Sequence, residues 1–364
     1  MATQTTETRE AKLAAVHDTL TQAVGVLVTG DDWRRAMEFS AKFRSRSFGN
    51  SVLIWVQHAE AYAQGLVPAP VPTFVAGYRQ WQSLGHQVHR GARGYAILAP
   101  VIARYAATDP GDPRGAWRRL GPREKPTRGE ILRTQLISTK VAHVWDVSST
   151  DGPPLVVPPA PKLLQGAAPV GLWDGLAHQI TDHGFTLLQV PDAAALDGAN
   201  GVTDYTTRTV SIRADVADAS KCRTLGHELA HVLLHGPDRA DATTHRGIAE
   251  VEAEAVALMV FAAHQMDTSP YTVPYVSTWA STVAGKDPVE VITATADRVR
   301  TTALMILDRL DTTQAGNGDP PGLDRTPRAT PTPRPVQHAG PLEPAPEPEP
   351  DLTLELAEHE GVAW

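Results

Sequence analysis

Residues Arg223-Thr-Leu-Gly-His227-Glu228-Leu-Ala-His231-Val-Leu-Leu-His235-Gly236-Pro237 restrict the fold more than any other stretch of the chain. Leu225, Leu229, Val232 and Leu233 recur at three- and four-residue spacing, the mark of an amphipathic helix. Asp218 or Ser220 can cap its start, and Gly236 followed by Pro237 can end it. Four residues is slightly more than one helical turn. His227 and His231 therefore project from one face and can grip a single metal ion, with Glu228 beside them as general base. Two surface histidines on a helix would share this pattern, but its place on a capped amphipathic helix favours the metal.

Two histidines rarely hold zinc alone; a hydrolytic site normally has three protein ligands and a water. The candidates for the third are His235, Asp238, His245, Glu250, Glu252 and Glu254. An extended three-histidine motif of the metzincin kind needs Gly at 234 and His at 237, where Leu234 and Pro237 stand, so that class is excluded. His235 falls at the end of the helix and is kept only as a substrate or phosphate contact. The next predicted helix runs from about Arg246 to Gln265, with Ile248, Val251, Ala255, Leu258, Met259 and Ala262 as its apolar stripe. At about 100° per residue, Glu252 and Glu254 flank opposite edges of that stripe while Glu250 points well away. Periodicity leaves Glu252 and Glu254. No oxyanion-stabilising residue stands out; Tyr205 and His245 are candidates only.

A length of 364 residues predicts about two domains plus accessory segments. No apolar run approaches the roughly 20 residues of a membrane span, and the N-terminus lacks the apolar core of a signal peptide. The single cysteine, Cys222, excludes an internal disulfide framework and suits a reducing cytoplasm; five residues before His227, it points off the ligand face and is read as packing. The formal charge of -8 is unevenly spread: -3 over residues 1–33, +11 over 34–140, -10 over 141–311 and -6 over 312–364. A basic block followed by an acidic one implies two modules with different partners.

In chain order, Leu13, Val16, Leu20, Val24 and Leu27 predict a helix over 8–29, and a second follows from Trp33 to Phe43. Asn50 or Ser51 can cap a third through Val52, Leu53, Trp55, Val56 and Ala59, which Pro68, Pro70 and Pro72 end. His86 to Pro100 reads as strand, Gly-bounded turn and strand, hence a hairpin. Between 33 and 104, Arg44, Arg46, Arg79, Arg90 and Arg93 alternate with Phe43, Phe48, Trp55, Tyr78, Trp81 and Tyr95. Single-stranded nucleic acid needs that mixture: cations track phosphates, and rings stack on exposed bases. Residues 104–140 carry Arg104, Arg114, Arg118, Arg119, Arg123, Lys125, Arg128, Arg133 and Lys140 and predict an exposed basic loop or a long hairpin. After a proline-rich linker, a helix through Leu172, Leu176 and Ile180 precedes strands at 185–190 and 209–212, with a turn at Asn200-Gly201 between them. Pro288 starts a last helix that ends near Leu310, and eleven prolines with no apolar period follow from Thr312.

Phe48-Gly-Asn50-x-x-Leu53-Ile and Val75-Ala-Gly77-Tyr78-Arg79-x-Trp81-x-x-Leu84-Gly85-x-x-Val88-x-x-Gly91-x-x-Gly94-x-Ala-Ile97-Leu98-Ala-Pro100 resemble the N-terminal single-stranded-DNA-binding domain of ArdC-type antirestriction proteins. Val144 to Gly152 resembles the segment that closes that domain, though the usual aromatic strand before Val144 is absent and Ser149 stands where glutamine is usual. Glu254-Ala255-Val256-Ala257 resembles the Glu-Ala segment that follows His-Glu-x-x-His in ImmA/IrrE-like gluzincins, which selects Glu254 as third ligand.

The expected fold is α+β: an N-terminal helix (1–32), an α+β DNA-binding domain (33–152), a linker (153–165), a gluzincin-like zinc-peptidase domain (166–311) and a disordered acidic Pro-rich tail (312–364). The resemblance implies single-stranded DNA as partner, through Arg44, Arg46, Asn50, Arg79, Trp81, Arg90 and Arg93, and Zn2+ as cofactor on His227, His231 and Glu254 with Glu228 catalytic. It also implies an antirestriction-like role on mobile DNA and hydrolysis of a protein or peptide. The competing readings are a regulatory zinc peptidase that cleaves a repressor-type protein, a DNA-binding protein with a structural zinc site, and an acidic tail that mimics DNA.

Overall fold

The computed structural model describes residues 2–27, 29–108, 117–121, 124–155, 166–236, 246–268, 280 and 286–323. Three helices open the chain: α1 (Ala2–Gly25), α2 (Gly30–Lys42) and α3 (Phe48–Ala63). Thr29 and Asp32 form a reciprocal capping box on α2, which satisfies two amides that the first turn leaves free. The cap of α3 is Ser47, whose hydroxyl accepts from the Asn50 amide, and not Asn50 or Ser51. Ser47 leads by three residues because Phe48 already belongs to the helix and is fully buried.

Strand β1 (Val75–Gly77), helix α4 (Tyr78–Ser83) and the short β2 (Gln87–Val88) follow, then the long β3 (Tyr95–Ala107), β4 (Arg118–Arg119) and β5 (Ile131–Asp146). These build a four-stranded sheet of order β1-β5-β3-β4, with β3 and β5 antiparallel over their whole length. The basic stretch of 104–140 is thus the distal part of a long hairpin. Residues 131–138 are exposed on both faces, whereas Ala103, Ala106, Ala107 and Leu120 of the same arm are buried. The hairpin expected over 86–100 does not form. β2 pairs instead with β6 (Thr150–Asp151), and Tyr95 lies opposite Val144. The turn at Gly91 and Gly94 only turns the chain from one sheet to the next, since two residues of β2 hold too few ladder bonds to specify a hairpin.

In the second half, α5 (Leu172–Asp182) leads to β7 (Thr186–Val190), β8 (Gly201–Asp204) and β9 (Thr209–Arg213), a sheet of order β7-β9-β8 in which β8 is an antiparallel edge strand. The sequence showed only a turn at Asn200-Gly201; four residues, two of them polar, give too short an alternation to register as β8. Helix α6 (Asp218–Leu234) follows with Ala217 at its cap and no side-chain cap bond, so neither Asp218 nor Ser220 has the expected role. Among the described residues, helices α7 (Arg246–Ala263) and α8 (Pro288–Asp308) follow, the latter capped by Asp287 with Pro288 in its first turn.

The largest core joins both halves: Val24, Trp33, Met37, Phe48 and Val52 share it with Leu172, Leu225, Leu229, Val251, Met259, Val299 and Ile306. A second core under β3 and β5 holds Phe39, Phe43, Ile54, Tyr95 and Val144, and a third holds Trp81, Ala76 and Val88. Residues 312–323, expected to begin a loose tail, are bonded to both halves of the chain: Thr312, Gln314 and Ala315 to His264, Leu307 and Ala263, and residues 315–319 to the first half. Arg44 donates to the carbonyls of Ala315 (2.6 Å) and Gly316 (3.2 Å), Arg46 pairs with Asp319 (3.3 Å), and Val75 N–H donates to Gly318 (2.9 Å). Backbone groups make most of these bonds, which apolar periodicity cannot report. No helix among the described residues is long and apolar enough to cross a membrane.

Candidate metal centre

Helix α6 presents His227 and His231 on its outer side, and α7 packs along it. The two Nε2 atoms lie 3.0 Å apart. Glu250, in the first turns of α7, brings its Oε2 to 3.4 Å from His227 Nε2 and its Oε1 to 3.7 Å from His231 Nε2. One donor atom from each of these three residues falls within 4.8 Å of the others. Two imidazole nitrogens and a carboxylate are the donor set of a hydrolytic metal site with a position left for water. The Glu250 side chain is 52% exposed, so water reaches the group directly.

The electrostatics match a cation site. Burial disfavours charge on His227, but the carboxylates of Glu250, Glu254 and Glu228 outweigh it and push the imidazole up to about 9. Hydrogen bonds from His227 and His231 hold the Glu250 carboxyl well below the usual carboxylate range. Burial raises Glu254, yet His227 and Arg223 bring it below its ordinary value.

Glu254 is not the third member of the group. Its Oε2 lies 3.1 Å from His227 Nδ1, on the far side of the ring, and its Oε1 accepts from Arg223 at 2.6 Å. Periodicity points to the edge of the apolar stripe, whereas the site opens to solvent, beyond that stripe. A position rotated away from the core, Glu250, therefore faces the Nε2 pair. One turn later, Glu254 meets the same ring from behind.

Other expected roles also shift. His235 is no surface contact for substrate or phosphate: its side chain is 4% exposed, its Nδ1 lies 2.9 Å from His231 Nδ1, and its Nε2 lies 3.0 Å from Glu252 Oε2. The Tyr205 hydroxyl is engaged by the backbone, donating to the His231 carbonyl at 2.7 Å, and burial, with Glu228 and Glu250, pushes the phenol up to about 12. Asp238 and His245 lie outside the described residues. Glu228 is buried, with Oε2 accepting from Thr203 Oγ1 at 2.7 Å and Oε1 packed against Gly201 of β8. A Cβ at Gly201 would stand 2.8 Å from that oxygen. Thr203 had no signal in the sequence, because its partner is set by the edge strand that was missed. Cys222 is buried in the main core.

Two family models match the chain. One, the N-terminal domain of anti-restriction factor ArdC, covers residues 16–140, and the other, the IrrE N-terminal-like domain of the M78 peptidases, covers residues 176–272. The chain thus carries an ArdC-type N-terminal domain followed by an IrrE-like domain. It is similar to the crystal structure of the antirestriction ArdC protein from the R388 plasmid in its metal-free form, at 19% identity and a TM-score of 0.42 over 72% of this chain and 84% of that one. The Mn(II)-bound form of the same plasmid protein gives 18% identity and 0.41 over 72% and 88%. No curated protein matches the chain.

Within the ArdC-type N-terminal half, four of the seven residues expected to touch DNA are committed elsewhere. Arg44 and Arg46 hold residues 315–319. Asn50 clamps β3, accepting from Leu98 N–H and donating to Leu98 C=O, both at 2.9 Å. Trp81 is fully buried, its indole N–H donating to the Trp145 carbonyl at 3.0 Å. In each case the alternation of bases and rings is the trace of a packed core with arginines bonded to backbone. Arg79, Arg90 and Arg93 are exposed, and the last two line a cavity of about 370 Å³ between α3 and the turn before β3. On the hairpin, Arg118 is engaged by Glu124 and Glu130, while Arg119, Arg128, Arg133 and Lys140 are exposed; Arg133 lies over the Trp117 ring at 5.7 Å. Arg114 and Arg123 lie outside the described residues.

Proposed function

We propose that this ArdC-type chain is a metal-dependent hydrolase of amide bonds, with His227, His231 and Glu250 as ligands of a divalent ion, zinc by donor type, and that it binds single-stranded DNA through its N-terminal half. The convergence of His227 Nε2, His231 Nε2 and the Glu250 carboxylate at the open side of α6 and α7 carries the reading. A bound divalent ion supplies Lewis acidity, which polarises a carbonyl and acidifies water. Glu228 adjoins His227 in the sequence and serves as general base; Thr203 and Gly201 keep its carboxylate against β8. His227 is oriented by Glu254, which meets its Nδ1 from behind. A site that solvent reaches favours hydrolysis over a purely structural zinc, which four protein ligands normally close.

Arg79, Arg90 and Arg93, with the exposed cations of the β3–β5 hairpin, give the DNA-binding surface, and Tyr78, next to Arg79, offers an exposed ring for stacking on a base. The antirestriction-like role and the single-stranded preference rest on the ArdC-type N-terminal domain.

The deciding experiment pairs metal analysis of the purified full chain with oligonucleotide binding at several salt concentrations. About one zinc per chain, retained in Glu228→Gln and absent in Glu250→Ala, supports the site. Undiminished zinc in Glu250→Ala refutes it. Single-stranded oligonucleotide binding that weakens steeply with salt supports the second half of the reading, and its absence sinks that half alone.

A further inference from the structure

Behind His231 a line of side chains runs through His235 to a wholly buried carboxylate, Glu252. His231 Nδ1 meets His235 Nδ1 at 2.9 Å, His235 Nε2 meets Glu252 Oε2 at 3.0 Å, and Glu252 Oε1 accepts from Arg298 Nε at 2.8 Å. Arg298 is anchored further by a bond to Thr295 Oγ1 at 3.0 Å. The Glu252 side chain has no exposure and that of His235 4%, while the Arg298 side chain reaches solvent at 39%. His227 is backed more directly, by Glu254 and Arg223. Both histidines therefore lead to a carboxylate and an arginine, and only His231 does so through another imidazole.

Two ring nitrogens 2.9 Å apart share one hydrogen, so the tautomers along the line are linked. A His231 that gives its Nε2 lone pair to a metal carries its hydrogen on Nδ1. His235 Nδ1 must then be the acceptor, His235 carries its own hydrogen on Nε2, and that hydrogen goes to Glu252. The carboxylate accepts from His235 on one oxygen and from Arg298 on the other. Every bond points the same way, and each ring has a single permitted tautomer.

We infer that His235 is a positioning residue for the metal site: with Glu252 and Arg298 it fixes His231 as the Nδ1–H tautomer and aims its Nε2 at the ion. The inference rests on the proposed metal reading. It assigns His235 a role that neither ligation nor substrate contact gives it. Removing such a partner typically weakens metal binding by about 10–100-fold.

The test uses the full chain with zinc, its affinity read by competition with a chromophoric chelator, and nitrogen-15 NMR of the histidine rings. His235→Leu, which deletes the acceptor, is expected to weaken zinc by about 10–100-fold. His235→Asn, whose Oδ1 stands near the place of Nδ1 and accepts from His231, is expected to recover most of that loss. In the zinc-loaded wild type, His231 should hold its hydrogen on Nδ1 and His235 on Nε2. Should His235→Leu fail to fold, the tautomer measurement on the wild type decides by itself. A hydrogen on Nδ1 of His235 in the loaded wild type overturns the inference, as does equal affinity in a folded His235→Leu. Wild-type protein that takes up no zinc overturns the metal reading and this inference together, whereas normal uptake without the expected tautomers overturns this one alone.

Discussion

Glu250 and Glu254 stand one helical turn apart on α7 and address opposite nitrogens of one ring, Glu250 lying 3.4 Å from His227 Nε2 and Glu254 3.1 Å from His227 Nδ1. One carboxylate completes a donor group while the other orients the imidazole that belongs to it. Their different surroundings follow. Glu250 is half exposed, and Glu254 is largely covered and tied to Arg223.

That division predicts unequal losses. Glu250→Ala should abolish zinc uptake, whereas Glu254→Ala should keep it with affinity lower by about 10–100-fold. Thermal melts give a second readout. Zinc at 100 times its Kd stabilises the folded state by about 2.7 kcal/mol. For a compact unit that runs from Met1 to Thr326 that is a rise in Tm of roughly 4 °C, removed by a chelator and missing in Glu250→Ala. Equal behaviour of the two variants would contradict the assignment.

The helix that carries the metal motif was legible because its residues announce themselves locally: an apolar stripe at Leu225 and Leu229 with His227 and His231 one turn apart. The third donor was not. Periodicity reports which positions of α7 touch the core, and Glu250 acts at a surface the core does not define. The same blindness affects the N-terminal half. Arg44 and Arg46 look like phosphate contacts because sequence shows their charge and not the carbonyls of residues 315 and 316 or Asp319 that take it up. Long-range pairs such as β2 with β6, some 60 residues apart, have no local signature either.

The arginines should accordingly separate into two groups. Arg90→Ala combined with Arg93→Ala is expected to leave the Tm unchanged and to weaken single-stranded oligonucleotide binding, with the salt slope falling by about 1.4 if each contacts one phosphate. Arg46→Ala breaks a pair whose side chains are 10% and 7% exposed. It should lower stability by about 3 kcal/mol, since it removes a largely buried guanidinium that binds both the Val75 carbonyl and the Asp319 carboxylate. Denaturant melts and binding titrations on the same preparations distinguish the groups, and a DNA-binding loss in Arg46→Ala without destabilisation would reverse its reading.

Cys222 supplies a check on packing that is independent of metal and DNA. It is 1% exposed in the main core, and burial, with Asp218 nearby, pushes its thiol up to about 12. At pH 7–9 the folded chain therefore holds a neutral thiol, and the thiolate is the reactive form. Titration with a thiol reagent at pH 8 should modify almost none of it in native protein and about one thiol per chain in denaturant. Rapid native modification would show that α6 is not seated as described.

The last prediction concerns Glu228 and the edge strand that holds it. Glu228→Gln should keep zinc, because its carboxylate is not among the three donors, and should remove hydrolysis of any peptide the wild type cleaves. Gly201→Ala tests the seat of that base. The new methyl would sit 2.5 Å from Thr224 Cγ2 and 2.8 Å from Glu228 Oε1, so β8 or the carboxylate must move. Zinc uptake should survive, since His227, His231 and Glu250 make no contact with β8 that the substitution removes. Turnover should fall by about 100-fold, the scale at which a displacement of roughly 1 Å acts on a reacting group. Loss of metal together with turnover would show that β8 supports the ligands themselves. Unchanged turnover would show that Glu228 does not act from the position in which Thr203 and Gly201 hold it.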